Sequence, residues 1–161
     1  MPYLPNELWL AILPYCQTED SWRSLRPVNQ QLRACVEQYF LEEILPETVI
    51  SLPITLPTYD IRQAMRGHAR LRCLEGALVG GRAIYALAEA VPAHYDVHFR
   101  ARWKRVHAAG GRIPDKQRWE VQLCDIEKSA RVKDARVEGD PEDCQLSFDW
   151  KPTLTAILQT R

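Results

Sequence analysis

The apolar pattern of the sequence changes its period near Pro46, and this change constrains the fold more than any other feature. Before Pro46, apolar residues recur three and four positions apart, as on one face of a helix. After it, apolar residues alternate with polar residues or proline over residues 50–56, which is the period of a strand. We therefore predict an α+β protein, with a helical module over residues 1–45 and a β-rich domain over residues 46–161.

The helical module divides into three short helices. Pro5 suits the first turn of helix one, and Pro14 ends that helix. Thr18 is the expected N-cap of the second helix. Pro27 is the expected first residue of the third, which closes at Leu45-Pro46. Three helices of this size bury little apolar surface by themselves. They must therefore pack against a partner, against the β domain, or against both to be stable.

The helical module resembles the F-box motif over residues 3–44, about a quarter of the chain. The resemblance lies in the order and spacing of three pieces: Leu4-Pro5-x-Glu7-Leu8, then Ile12-Leu13, then Arg26-x-Val28-Asn29-x2-Leu32-Arg33. More loosely, the chain also resembles fungal F-box proteins, through Leu-Pro-Thr-Tyr-Asp at residues 56–60 and Phe-Asp-Trp at residues 148–150.

The resemblance implies a function. F-box proteins dock on a Skp-family adaptor of a cullin-RING ubiquitin ligase, and the remainder of the chain binds a protein to be ubiquitinated. Six residues would by position meet the adaptor: Leu4, Pro5, Leu8, Ile12, Leu13 and Val28. Four others would form the core of the module: Trp22, Leu25, Leu32 and Val36. The resemblance thus implies a substrate receptor, whose substrate the sequence does not reveal, and we expect no cofactor.

The β-rich domain is expected to contain five or six mostly antiparallel strands and one helix. Residues 119–123 and 144–150 alternate cleanly, and residues 131–138 read as a polar edge strand. Gly80-Gly81 suits a two-residue hairpin turn. Residues 60–68 read as a loop or helical turn, and the segment after Lys151 as a strand or helical turn.

Residues 92–109 fit both a strand and a helix. Tyr95, Phe99 and Trp103 fall at helical spacing, with Pro92 before them and Gly110-Gly111 after them, so we favour the helix. Its exposed side would carry a basic patch: Arg100, Arg102, Lys104 and Arg105. The simplest interpretation is a solvated face, and the alternative is a site for an acidic partner or a phosphate group.

Residues that could carry catalytic or metal chemistry are sparse. His94 and His98 share a helix face, but the glutamate of an H-E-x-x-H motif is missing, so we expect no metal. Five scattered cysteines without a Cys-x-x-Cys pair suggest reduced thiols, and Cys144 sits in an apolar alternation typical of a core. We therefore expect no enzyme.

The bulk composition limits the classes of partner that the chain is expected to bind. The net charge of zero argues against a general grip on nucleic acid, and no stretch approaches the length of a membrane span. With no signal peptide expected, the cytoplasm or nucleus is the predicted location. An alternative to the adaptor function is a stand-alone ligand- or protein-binding β domain capped by the helices. A closed apolar cavity lined by Trp119, Phe148 and Trp150 would favour that alternative.

Overall fold

The computed structural model describes residues 4–56, 65–79, 81–114, 116–124 and 126–159. The helices are α1 (Asn6–Ile12), α2 (Thr18–Asp20), α3 (Gln30–Tyr39), α4 (Leu45–Glu47), α5 (Asp96–Ala108) and α6 (Trp150–Gln159). The strands are β1 (Val49–Leu56), β2 (Met65–Val79), β3 (Arg82–Val91), β4 (Trp119–Leu123), β5 (Ile126–Ala130), β6 (Arg136–Glu138) and β7 (Gln145–Asp149).

The helical module is built of the helices that the sequence predicts, with shifted starts. α1 ends at Ile12 and passes into a 3-10 turn, as Pro14 requires. Thr18 is the first residue of α2, not its cap, so that prediction is wrong. The predicted start of α3 at Pro27 is also wrong. Asn29 caps α3 instead, because its Oδ1 accepts the Leu32 N–H at 2.7 Å.

The described strands form one antiparallel sheet in the order β5-β4-β1-β2-β3-β7-β6. The α+β class and the antiparallel pairing are thereby confirmed. The sheet has seven described strands instead of five or six, since β5 alternates too weakly to be recognised. Two helices later than β1 in the chain, α5 and α6, pack on the sheet where one was expected, because the last segment forms α6 over about three turns.

Several local predictions can be compared with the strands. The predicted hairpin is supported by the pairing of Val79 with Arg82 and by the φ of 83° at Gly81, while Gly80 lies outside the described residues. The edge strand expected over residues 131–138 is confirmed only for Arg136–Glu138, which form β6 at one end of the sheet, and residues 131–135 are not part of a strand. Of the loop or helical turn expected over residues 60–68, residues 65–68 belong instead to β2, which begins at Met65, and residues 60–64 lie outside the described residues. The Leu-Pro-Thr-Tyr-Asp segment at residues 56–60 lies, beyond Leu56, outside the described residues.

Pro53 belongs to a strand inside the sheet, but at Pro53 that strand is paired on one side only. β1 lies between β4 and β2 in the sheet. Its pairing with β4 covers only residues 49–51, whereas its pairing with β2 runs from 49 to 56. Among the described residues, Pro53 therefore has a partner strand on one side only, where a missing N–H is tolerated.

One hydrophobic cluster joins the helical module to the sheet. It contains Leu13, Val36 and Phe40 from the module together with Ile50 and Leu71 from the sheet, all 1% exposed or less. The residues expected in the module core are buried, except that Leu25 is half-buried. Because the core is continuous, the module is stabilised by the sheet beside it, as its small size requires.

Candidate docking surface

An exposed apolar patch lies on the outer side of the helical module. Leu8, Ile12 and Tyr15 follow one another at i, i+4 and i+7 and are 50%, 41% and 91% exposed. Val28, in the turn before α3, is 62% exposed. We call these four residues the α1 patch. Exposed large apolar side chains on a common helix face, as the spacing of Leu8 and Ile12 requires, are typical of a binding site.

The opposite side of α1 holds the patch in place. Leu13 is fully buried, and Trp9 and Leu10 pack half-buried against the hydrophobic cluster. The Nε2 of Gln31 on α3 donates to the Leu4 carbonyl at 2.7 Å and to Asn6 Oδ1 at 2.8 Å. α1 is therefore held by apolar packing on its inner face and by hydrogen bonds at its beginning.

The six residues predicted to contact the adaptor differ in how exposed they are in the structure. Pro5, Leu8, Ile12 and Val28 are exposed, and Leu4 is half-buried. Leu13 is fully buried, so it supports the surface from below and is not accessible to a partner. Tyr15 was missed by the sequence analysis, because Pro14 ends the helix. The 3-10 turn at Leu13–Tyr15 nevertheless continues the exposed row by one more residue.

A charged network ties the module to α6. Glu37 accepts hydrogen bonds from Lys151 and from Arg26, the latter at 2.7 Å. Burial alone would raise the pKa of Glu37, but these hydrogen bonds outweigh it and hold that pKa below its ordinary value. The Arg26 guanidinium also lies 4.4 Å above the Trp22 ring.

Two further contacts fix the module on the sheet and on α6. The Trp22 indole N–H donates to Thr155 Oγ1 on α6 at 3.1 Å. Lys128 of β5 donates to Glu19 of α2 at 2.6 Å, which lowers the pKa of that carboxyl. The α1 patch is thus carried by a module that is attached through apolar, charged and hydrogen-bonded contacts.

The four predicted basic residues of α5 differ in their contacts. Arg100 donates to Asp96 at 2.7 Å and to the Glu142 carbonyl at 2.8 Å, and Lys104 forms an ion pair with Glu142. These two cations are therefore partly neutralised by contacts inside the molecule. Arg102 lines a small cavity, while Arg105 is exposed.

The histidine and cysteine residues considered for metal binding or catalysis include one that contacts a neighbouring ring and two that are buried thiols. His94 stacks on Tyr95 with ring centroids 4.7 Å apart, and no group of three metal-ligating side chains occurs in the described part of the chain. Burial raises the pKa of the Cys35 and Cys144 thiols, which makes them poor nucleophiles near neutral pH.

The three aromatic residues expected to line a cavity are buried in the hydrophobic cluster. The Phe148 ring lies 5.2 Å from the Tyr85 ring, and the Trp150 ring lies 5.9 Å from the Trp22 ring. Trp119 is 1% exposed. Their contacts are those of a packed core, which does not favour the alternative of a ligand held among them.

Comparison of the chain with models of known families, with curated proteins and with solved structures gave no match. The F-box resemblance therefore depends on the sequence motif alone. Within the described ranges, none of the helices is both long enough and apolar enough to cross a membrane.

Proposed function

We propose that this chain is an F-box substrate receptor that docks through the α1 patch on a Skp-family adaptor, in the cytoplasm or nucleus. The observation that carries the proposal is the exposure of Leu8, Ile12 and Val28, three positions at which the motif expects adaptor contacts. A core-facing role would have buried them, as it buries Leu13.

The geometry of the α1 patch suits a helix-in-groove contact. Exposed apolar residues four positions apart present one continuous ridge, which is the usual form of such a contact. Packing of Leu13 beneath the ridge fixes its orientation, so little conformational entropy is lost on docking. The β sheet and α5 remain outside this contact and would bind the protein to be ubiquitinated.

Adaptor binding tests the proposal directly. The purified chain is mixed with a Skp-family adaptor at about 10 μM and analysed by size-exclusion chromatography and calorimetry. We expect a 1:1 complex, and we expect Leu8→Asp and Ile12→Asp each to weaken it by roughly 30-fold or more, since a charge placed at the centre of an interface costs at least about 2 kcal/mol.

Val97→Asp is the matched control. Val97 is an apolar residue 71% exposed on α5, outside the α1 patch, so the same charge there should leave adaptor binding unchanged. The proposal is refuted if the unmodified chain does not associate with the adaptor. It is equally refuted if Val97→Asp weakens the complex as much as Ile12→Asp does.

A further inference from the structure

The stretch from α5 to β4 carries basic side chains that have no carboxylate partner within the part of the chain that the structure describes. One is half-buried and four are exposed. By contrast, Arg100 and Lys104 on the same helix are paired with Asp96 and Glu142. We call the unpaired residues the basic surface: Arg102, Arg105, Arg112, Lys116 and Arg118.

Two parts of the chain bring the basic surface together. On α5, Arg102 and Arg105 are three positions apart, which makes their side chains neighbours on the helix. The segment after α5 packs against the Arg102 side of the helix, because Ile113, Pro114 and Gln117 line one small cavity with Arg102. Each of the other three cations adjoins Ile113 or Gln117 in the chain, so the packing of this segment carries them towards α5.

Carboxylates of the same region do not balance this charge. The sequence from residue 101 to residue 118 contains a single acidic residue, Asp115. Arg112 lies opposite another cation, Arg136 of β6, and Asp134 is already paired with Arg82 at 2.7 Å and with Arg136 at 3.0 Å. The stretch is therefore locally positive although the whole chain has no net charge, and a local positive potential attracts an anionic partner.

The kind of anion follows from what surrounds the cations. Four of the five are arginines, whose planar guanidinium groups match carboxylates in two parallel hydrogen bonds. None of the large exposed apolar side chains of the described residues lies between residues 100 and 118, so there is no anchor for a membrane. Trp103 and Trp119 are 2% and 1% exposed, so neither can stack on nucleic-acid bases.

We propose that the basic surface binds an extended peptide segment rich in aspartate and glutamate. Clustered arginines are a recurring means of recognising acidic motifs. In an extended chain alternate side chains point to one side about 7 Å apart, so several carboxylates can meet several cations at once. As the substrate class of the receptor, this assignment rests on the proposed function, whereas the peptide contact itself does not require the adaptor.

Peptide binding tests the inference with a defined probe. A fluorescein-labelled decapeptide of alternating glutamate and glycine is titrated with the full chain and followed by fluorescence anisotropy. Salt is kept near about 50 mM, because exposed charges are screened at higher ionic strength. The same peptide with glutamine in place of glutamate should bind at least about tenfold more weakly, since it lacks the carboxylates.

Substitutions locate the contact. Arg105→Gln combined with Lys116→Gln should weaken binding of the glutamate peptide at least about fivefold, since each removes a charge that pairs with a carboxylate. Both residues are exposed, so the fold should be retained, which near-ultraviolet circular dichroism checks. The matched control is Arg23→Gln with Arg33→Gln, which removes two charges from exposed positions of the helical module and should leave peptide binding unchanged.

Other anions distinguish a peptide site from a general polyanion site. A single-stranded DNA decamer and vesicles containing phosphatidylserine should each bind more weakly than the glutamate peptide. The inference is overturned if either of them binds more tightly, or if the glutamine peptide binds as well as the glutamate peptide. It is also overturned if the control variant loses as much affinity as the Arg105 and Lys116 variant.

The adaptor separates this inference from the proposed function. The Arg105 and Lys116 variant should still form the adaptor complex, because neither residue belongs to the α1 patch. A chain that binds the glutamate peptide but not the adaptor would refute the proposed function alone, and one that binds the adaptor but not the peptide would refute this inference alone.

Discussion

At the scale of single residues, Gly67 shows how a neighbour dictates an amino acid. A Cβ at this position would lie 2.5 Å from Cδ2 of Tyr95 and 2.8 Å from the Val91 carbonyl oxygen. Tyr95 is itself 1% exposed, so its ring has no room to withdraw. Gly67 is therefore required by a close approach and not by a turn.

We expect Gly67→Ala to lower the free energy of unfolding by about 1–3 kcal/mol, the usual cost of overpacking a core. Denaturant unfolding measures this. In a Tyr95→Ala background the same substitution should cost less, because the ring contact is gone. A Gly67→Ala protein of unchanged or higher stability would contradict the steric explanation.

At the scale of elements, α1 exposes one face and buries the other, and exposure changes between two adjacent residues. Ile12 is 41% exposed, whereas Leu13 is fully buried in the hydrophobic cluster. The inner face secures the helix and the outer face is free for a partner. Adjacent apolar residues in the sequence thus serve stability and binding separately.

Truncation of each residue should expose this division. We expect Leu13→Ala to lower the free energy of unfolding by about 2–4 kcal/mol through loss of buried methyl groups and the cavity left behind. Ile12→Ala should cost less than about 1 kcal/mol. Thermal and denaturant unfolding measure both, and equal losses at the two positions would show that α1 is not packed in this way.

At the scale of the whole molecule, the helical module and the sheet share one hydrophobic core. Glu37 links α3 to α6 through Lys151. Its pKa in the folded chain lies below the ordinary 4.5. The unfolded chain therefore binds a proton at this site more readily than the folded chain does, and folding is favoured when the carboxylate is ionised.

The pH dependence of stability follows from the lowered pKa of Glu37 in the folded chain. The stabilisation by Glu37 is complete above about pH 4.5 and declines as the pH falls through the lower pKa of the folded chain. Glu37→Gln should lower the free energy of unfolding by about 1–2 kcal/mol at pH 7 and flatten its decline between pH 5 and 3. Glu47→Gln, at an exposed position, is the control and should change neither quantity. A Glu37→Gln protein with unaltered acid sensitivity would contradict this.

The sequence by itself determined the α+β class and the hairpin that joins Val79 to Arg82, and it favoured a helix over a strand for residues 92–109, where α5 lies. These features follow from local chemistry: proline and glycine end elements, and the apolar period reveals which side of an element faces the interior. β5 was not predicted from the sequence because a charged residue, Lys128, occupies its inward position. The partner of Lys128, Glu19, lies more than a hundred residues away in the chain.

Only the tertiary structure decided which apolar and charged residues remain available at the surface. The sequence groups Ile12 with Leu13 and Arg100 with Arg102, but packing buries Leu13 and pairs Arg100 with Asp96. The physical reason is that periodicity reports that a side chain faces something apolar, without saying whether the chain itself or a partner supplies it. That depends on contacts between residues far apart in the sequence.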